Sequence, residues 1–176
     1  MLLRKAIAFV PRLHVTPSLP SVQKNVDSPL YCLDYYCGNG TSTLELHRSF
    51  PEACIVGYEP RERILRHARS RHPHEYFTPL WRDVCSKQYQ LIQVKNHVPY
   101  NASIVHHFYK PLSKKRGMLW IHRSLFHEVL DIFSDFHVYF EPMQEFKDMY
   151  IFIPNPSSRH EQQSYECPKE NDSDSH

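Results

Sequence analysis

The stretch LDYYCGNGTST, residues 33–43, decides the fold of this chain. It follows the apolar residues 30–33, which predict a short buried strand, and it leads into a segment with helical spacing. The chain has only four glycines among 176 residues, and Gly38 and Gly40 both lie in this stretch. Because so few glycines remain where the average usage is about 7%, we infer that they stand where a side chain does not fit. The pattern predicts a strand, a tight glycine turn and a helix.

Outward from this turn, apolar periodicity predicts alternating strands and helices. Strands are predicted at residues 30–33, 53–58, 76–80, 89–94, 118–122, 136–140 and 149–153, and helices at 42–50, 61–71, 103–112 and 125–133. The last two strands are joined by a charged connection too short for a crossover helix, so we expect them to pair antiparallel. This order predicts an α/β fold with a Rossmann-like, seven-stranded, mostly parallel sheet, a C-terminal antiparallel hairpin and three layers.

Length, charge and the two ends bound the domain organisation. With 176 residues and a net charge of +2, the chain fits one domain, predicted at residues 29–156. Residues 1–28, with four basic residues and no acid before Asp27, are predicted to be an irregular arm or a mitochondrial transit segment. The polar residues 157–176 predict a disordered tail. Five cysteines without paired spacing indicate a reducing compartment, and no apolar run suits a membrane span, so we expect a cytoplasmic location, or else a mitochondrial one.

The second predicted strand ends in an acid, in the segment IVGYEP at residues 55–60. A strand, a Gly-x-Gly turn, a helix and a second strand ending in an acid form the layout of a nucleotide-type cofactor site. Glu59 would accept hydrogen bonds from two ribose hydroxyls, and the bare backbone of Gly38 and Gly40 would approach the ligand. Dinucleotide-dependent dehydrogenases share this layout. Thr43 at the third glycine position and the terminal antiparallel pair disfavour that class.

Residues 31–72 resemble the class I S-adenosylmethionine-dependent methyltransferases, in particular small-molecule types such as the trans-aconitate and quinone-biosynthesis methyltransferases. The resemblance rests on Leu33-Asp34, Cys37-Gly38-Asn39-Gly40, Ser42-Thr43, FPEA at residues 50–53 and VGYE at residues 56–59. It implies methyl transfer from S-adenosylmethionine to an unidentified acceptor by in-line displacement. The cofactor-binding residues that it implies are Asp34, Tyr36, Cys37, Gly38, Asn39, Gly40, Glu59, Pro60, Asp83 and Asn96.

Several of these residues carry specific roles within the resemblance. Asp34 would hold the turn or reach the ammonium group of the cofactor, and Asp83 would cap the adenine amino group or be a solvated loop aspartate. Asn96 ends the fourth strand, facing the transferable methyl group together with Lys95. Tyr36 departs from the family because it replaces the first glycine of the turn, where it either narrows the pocket or packs at the strand end. A catalytically inactive, methyltransferase-like binding or scaffold protein is therefore the alternative function.

The basic and histidine-rich segments bear on the partners. Residues 61–74 carry five arginines and three histidines, a pattern that fits a patch for phosphate-bearing partners or a solvated helix face. Aromatic residues are missing from this helix, which favours the solvated face over nucleic-acid binding. His97, His106 or His107 could serve as a base if the acceptor loses a proton. No ligand spacing predicts a metal site. The lean chain predicts an open site that suits a large acceptor or a partner subunit.

Overall fold

Helices and strands alternate along the part of the chain that the computed structural model describes, residues 29–97, 105–112 and 117–155. The strands are β1 (Tyr31–Tyr35), β2 (Cys54–Tyr58), β3 (Tyr76–Thr78), β4 (Leu91–Val94), β5 (Met118–His122), β6 (Phe140–Phe146) and β7 (Met149–Pro154). The helices are α1 (Thr41–Ser49), α2 (Glu62–Arg71), α3 (Trp81–Cys85), α4 (Phe126–Ile132) and α5 (Phe136–Tyr139). A π-helical turn spans Val105–Tyr109, and a 3₁₀ turn spans Arg123–Leu125.

One sheet contains all seven of these strands, in the order β3-β2-β1-β4-β5-β7-β6. The first five strands pair in parallel, and β7 pairs antiparallel with both β5 and β6. The strand order changes direction between β1 and β4, which are neighbours in the sheet. In open α/β sheets, ligands bind at such a switch point, outside the carboxyl ends of the strands. The predicted mostly parallel, Rossmann-like sheet with an antiparallel C-terminal pair is confirmed.

Two helical layers enclose the sheet, because alternate residues of each strand face opposite sides. On one side, Cys32 of β1 packs in a hydrophobic cluster with Leu46 of α1. On the other side, Leu33 packs in a cluster with Val84 of α3 and Val129 of α4. The predicted three-layer arrangement is confirmed.

Helix α2 joins the first of these layers through a narrow apolar stripe. Leu65 and Ala68, three positions apart and therefore on one helix face, are buried against Phe77 of β3. The arginines of α2 lie on the exposed side of the helix. This arrangement is the solvated basic face that the sequence favoured.

The C-terminal strands differ from the prediction. Residues 136–140, predicted as a strand, form α5 and the first residue of β6, and the charged segment predicted as a connection is β6 itself. Phe136 and Tyr139 are spaced so that both are buried from one short helix. Strand β6 is an edge strand, with Phe140 and Phe146 buried and the glutamates between them not buried, and an edge tolerates such charges. The charged residues that the sequence analysis took as a connection are therefore the exposed residues of an edge strand.

Smaller differences concern the middle and the ends of the chain. Strand β3 stops at Thr78 because Pro79 cannot donate a ladder hydrogen bond, and residues 81–85, predicted as irregular, form α3. Of the predicted helix 103–112, the described part contains the π-helical turn. The predicted arm at residues 1–28 and the predicted tail at residues 157–176 lie outside the described residues. Within the described ranges, no helix has the length and apolar character to cross a membrane.

Candidate functional site

The glycine turn at the carboxyl end of β1 is the centre of the site. Tyr36, Gly38 and Gly40 all have positive φ angles, of 53°, 61° and 83°. The backbone N–H of Cys37 donates to the carbonyl of Tyr58 at 2.9 Å, and the N–H of Gly40 donates to the carbonyl of Cys37 at 3.1 Å. These bonds hold the turn against the end of β2 and deliver the chain into α1. The turn therefore lies at the edge where a parallel sheet places its ligands.

The two glycines of this turn are needed for different reasons. A methyl group at Gly40 would lie 2.8 Å from Cζ of Phe77 and 2.9 Å from Cδ2 of His72, so Gly40 is required by packing of the protein itself. The nearest atoms to a methyl group at Gly38 would be those of the Asn96 side chain, at 3.5 Å, an ordinary contact. The predicted reason for glycine, close approach of a ligand to bare backbone, therefore fits the surroundings of Gly38 and not those of Gly40.

Asp34 connects the turn to the first residues of α1. Its carboxylate is fully buried and accepts hydrogen bonds from Ser42 Oγ at 2.6 Å, Thr43 Oγ1 at 2.7 Å and Gln93 Nε2 at 3.3 Å. Burial raises the pKa of Asp34, and the hydroxyl and amide hydrogen bonds oppose that rise. In these contacts Asp34 holds the turn, one of the two roles that the sequence left open.

Glu59 is fully buried directly after β2, and its carboxylate faces the glycine turn. Oε2 accepts from the backbone N–H of Gly38 at 3.1 Å and from Nη2 of Arg61 at 2.7 Å. Oε1 accepts from the backbone N–H of Arg61 at 3.0 Å and from its Nε at 2.6 Å. The hydrogen bond with Glu59 raises the pKa of Arg61. The structure thus brings Gly38 and Glu59 together, as the layout predicted. It also shows a bidentate ion pair between Glu59 and Arg61.

The role of Arg61 was missed because the sequence analysis placed it in the basic helix. Residues 61–74 hold five arginines, and the sequence does not tell which of them turns back to the acid. A signal was nevertheless present. Arg61 is only two residues after Glu59, with the partly buried Pro60 between them. Its positive charge at the start of α2 is also unfavourable with respect to the helix dipole. An arginine at such a position indicates a nearby carboxylate.

Aromatic residues pack beside this ion pair. Tyr36, partly buried, makes an edge-to-face contact with Tyr58 at 5.5 Å between ring centroids, and the Arg61 guanidinium lies 5.6 Å from the Tyr36 centroid. Trp81 contacts Tyr58 from the α3 side at 5.1 Å. Burial raises the pKa of Tyr36. Tyr36 therefore packs at the strand end, as one of the two alternatives predicted, and it does so directly against the Glu59–Arg61 pair.

Asp83 and Asn39 make local contacts of their own. Asp83 lies in the first turn of α3, where its carboxylate accepts from Thr78 Oγ1 at 2.8 Å. Asp83 is thus a partly buried helical residue that pairs with β3 and not a loop residue, and its role toward the adenine amino group stays a prediction. Asn39 is exposed, and its Oδ1 accepts from the backbone N–H of Thr41 at 3.1 Å, which steadies the turn.

A polar cavity of about 240 Å³ opens at the carboxyl ends of β1, β4 and β5. It is lined by Cys37, Asn39, Thr41, Ser42, Glu45, Lys95, Asn96 and His122. Lys95 crosses it to pair with Glu45 at 2.7 Å. Three of the predicted site residues, Cys37, Asn39 and Asn96, meet at this cavity. Tyr36, Glu59, Pro60 and Asp83 are not among the residues that line it.

His97 and His107, two of the three histidines predicted as candidate bases, are not among the residues that line this cavity. His97 has an 85% exposed side chain and contacts Glu128 at 2.8 Å, while Nδ1 of His107 is 2.7 Å from the hydroxyl of Tyr35. The side chain of His106 lies outside the described residues. His122, which the sequence analysis did not select, does line the cavity. Its signal was its position as the last residue of β5, on the same sheet edge as the glycine turn.

The sheet order, with the glycine turn of β1 facing the acid of β2, agrees with the fold expected from the resemblance to class I S-adenosylmethionine-dependent methyltransferases. No protein-family model matches the chain. A curated relative, the trans-aconitate 2-methyltransferase of Yersinia pestis, is 37% identical over 79 residues, which cover 45% of this chain. The match spans only 29% of that relative's length.

Solved structures give the same fold at low sequence identity. A TehB-like S-adenosylmethionine-dependent methyltransferase from Corynebacterium glutamicum matches with a TM-score of 0.51 at 16% identity, over 73% of this chain and 83% of its own. A ribosomal protein L11 methylase from Lactobacillus delbrueckii subsp. bulgaricus matches with a TM-score of 0.52 at 11% identity, over 76% and 74%. These likenesses show the fold, and together with the curated match they confirm the predicted resemblance to the class I methyltransferase superfamily.

Proposed function

We propose that this chain binds S-adenosylmethionine at the carboxyl ends of β1, β2 and β4 and transfers its methyl group to an acceptor. The observation that carries the proposal is the 3.1 Å hydrogen bond from the Gly38 N–H to the buried Glu59 carboxylate, beside the cavity that Asn96 lines. Glu59 would accept the ribose hydroxyls, and the cavity would take the methionine end. The bound cofactor supplies a sulfonium-activated methyl group.

The residues of the chain would act by binding and alignment. Holding two reactants in line is worth about 7–11 kcal/mol, so methyl transfer needs no covalent nucleophile. Asn39 and Asn96 offer amide groups to the amino-acid end of the cofactor, and His122 is the cavity residue suited to take a proton from the acceptor. A large acceptor or a partner subunit would cover this edge of the sheet. Trans-aconitate, which the curated relative's name specifies, is the first acceptor to assay.

The alternative is a binding protein of methyltransferase fold without turnover. It is favoured by the predicted ribose acceptor being already paired, since Arg61 bridges both oxygens of Glu59 and Tyr36 packs against the guanidinium. The cavity volume of about 240 Å³ is also below the range of about 300–1,000 Å³ that is usual for small-molecule sites. A protein that binds the cofactor and releases no product would fit this second function.

Calorimetric titration of S-adenosylmethionine and S-adenosylhomocysteine tests the proposal. Glu59→Gln keeps the side-chain shape and removes the charge, and since a hydrogen bond to a charged group contributes about 1.5–3 kcal/mol, binding should weaken about tenfold or more. Glu62→Gln is the matched control, because Glu62 is an exposed carboxylate three residues further on. Equal affinities of the Glu59→Gln variant and the wild type would refute the assignment of Glu59.

A turnover assay separates the two functions. The wild type is incubated with S-adenosylmethionine and either trans-aconitate or fractionated cell extract, and S-adenosylhomocysteine is measured. Product that depends on the added acceptor supports methyl transfer, while tight cofactor binding without product with any acceptor supports the binding protein. A folded wild type that binds neither cofactor form would contradict both the proposed activity and the cofactor.

A further inference from the structure

The Glu59 carboxylate has no vacant acceptor position. A carboxylate offers about four lone-pair sites, two on each oxygen. Two are taken by backbone N–H groups, those of Gly38 and Arg61, and two by the Arg61 guanidinium through Nε and Nη2. Since Glu59 is fully buried, water does not compete for these sites. A ligand with two hydroxyls can reach the carboxylate only where a donor leaves.

The guanidinium is the donor that can leave. The Gly38 N–H is fixed by the glycine turn, and the Arg61 N–H is fixed by the backbone at the start of α2. The Arg61 side chain is 50% exposed and reaches Glu59 from the solvent side. Its charge also opposes the helix dipole at the start of α2, which disfavours this position, while the Tyr36 ring 5.6 Å from the guanidinium favours it.

We propose that Arg61 competes with the cofactor ribose for Glu59 and thereby sets the affinity of the site. The inference rests on the proposed function. The guanidinium occupies the two acceptor positions that the two ribose hydroxyls need, so each binding event breaks the ion pair. The ring of Tyr36 lies 5.6 Å from the guanidinium in the paired state, so it keeps the cation beside the site and does not itself drive the displacement. Arg61 is thus an affinity-determining residue for this reaction.

The shape of the site agrees with a competitor at Glu59. The cavity at the carboxyl ends of β1, β4 and β5 reaches Cys37 and Asn96, and none of its lining residues is Glu59 or Tyr36. The half that would receive the methionine end is open, and in the half that would receive the ribose the Glu59 carboxylate is paired with Arg61. Removal of that side chain should therefore extend the cavity toward Glu59.

The test compares two arginines of the same segment. Arg61→Met keeps most of the side-chain length and removes every donor, while Arg63→Met deletes the same charge from an exposed position of α2. S-adenosylhomocysteine is the probe, since it carries the ribose without the sulfonium charge. We expect the Arg61→Met variant to bind it about tenfold more tightly than the wild type, the gain from not breaking charge-assisted hydrogen bonds, and the Arg63→Met variant to bind within about twofold.

Ionic strength gives an independent readout. Salt screens a half-exposed ion pair, so raising NaCl from about 0.05 to 0.5 M should tighten binding to the wild type and leave the Arg61→Met variant almost unchanged. The variant should unfold at a lower temperature without ligand, because the Glu59 charge loses its partner, and should gain more from saturating ligand than the wild type. If Arg61→Met does not fold, Arg61→Lys carries the comparison, with the ammonium unable to bridge both oxygens.

The outcomes separate the inference from the proposed function. Wild type and Arg61→Met variant with equal affinity, or weaker binding by the variant, would overturn the competition while leaving the cofactor site intact. Binding by neither protein, with both shown to be folded by circular dichroism, would overturn the proposed function and the inference with it. Tighter binding by both arginine variants would assign the effect to net charge and would also overturn the competition.

Discussion

Replacing Gly40 by alanine should destabilise the protein through packing as well as through backbone strain. Gly40 has a φ of 83°, and the left-handed region costs a residue with Cβ about 1–2 kcal/mol. Alanine also restricts the unfolded chain more than glycine does, which stabilises the folded state by about 0.4–1 kcal/mol. The new methyl group would lie 2.8 Å from Phe77 and 2.9 Å from His72, and such overpacking adds about 1–3 kcal/mol. The free energy of unfolding should fall by about 3 kcal/mol.

Gly38→Ala is the matched control, since Gly38 has a φ of 61° in the same turn and the atom nearest to a methyl group there belongs to Asn96, at an ordinary 3.5 Å. Gly38→Ala should lower the free energy of unfolding by about 1 kcal/mol, since only the backbone strain, partly offset by the lower freedom of the unfolded chain, contributes. Urea unfolding followed by circular dichroism measures both variants, and the melting temperature should drop by about 2–4 °C per kcal/mol for a chain of this size. Equal losses for the two variants would refute the argument that Phe77 and His72 require the glycine at position 40.

Two further predictions concern Asp34 and Tyr36. Burial raises the pKa of Asp34 above its unfolded value of about 3.9, so the folded state binds the proton more tightly and stability falls as the pH rises through the folded pKa. Urea titrations of wild type and Asp34→Asn from about pH 4 upward should show the variant gaining relative stability with pH, and a constant difference would contradict this. Tyr36→Gly should lower the free energy of unfolding by about 1 kcal/mol. Relief of the positive φ, about 1–2 kcal/mol, is outweighed by the greater freedom of the unfolded chain, about 0.4–1 kcal/mol, and by the lost contacts with Tyr35 and Tyr58, about 0.5–1.5 kcal/mol each. A gain in stability, or a loss above about 3 kcal/mol in urea unfolding, would count against that balance.

The parallel part of the sheet was predictable from the sequence for a physical reason. Strands such as β1 and β4 are buried on both faces, so they appear as apolar runs, and the glycine turn marks where the first one ends. The C-terminal pair was harder, because β6 lies at the edge and one of its faces meets solvent. Charged residues such as Glu141 and Glu145 are compatible with an edge strand and with a connection alike. Local sequence does not distinguish these two environments.

The candidate site, too, has a part that the sequence could predict and a part that it could not. The neighbourhood of Gly38 and Glu59 was predictable because both follow adjacent parallel strands, whose carboxyl ends share one edge of the sheet. The pairing of Arg61 with Glu59 depends on a side-chain conformation, and the sequence offers several arginines that could have made it. The packing reason for Gly40 was equally hidden, since Phe77 and His72 come from segments more than thirty residues away.

Tyr36 departs from the glycine turn of the family that the chain resembles, Arg61 departs from the charge that a helix start favours, and the two side chains act on one another. A tyrosine with positive φ costs about 1–2 kcal/mol, and an arginine at the start of a helix opposes the dipole, so each alone is unfavourable. Together they form a contact, with the guanidinium 5.6 Å from the ring centroid and hydrogen-bonded to the buried Glu59. Glycine at position 36 would remove the ring that lies beside the guanidinium. The carboxylate that would bind ribose is therefore the same group that makes both departures tolerable. Because one carboxylate serves both, replacement of Arg61 should raise the affinity for the cofactor and lower the stability of the protein without ligand.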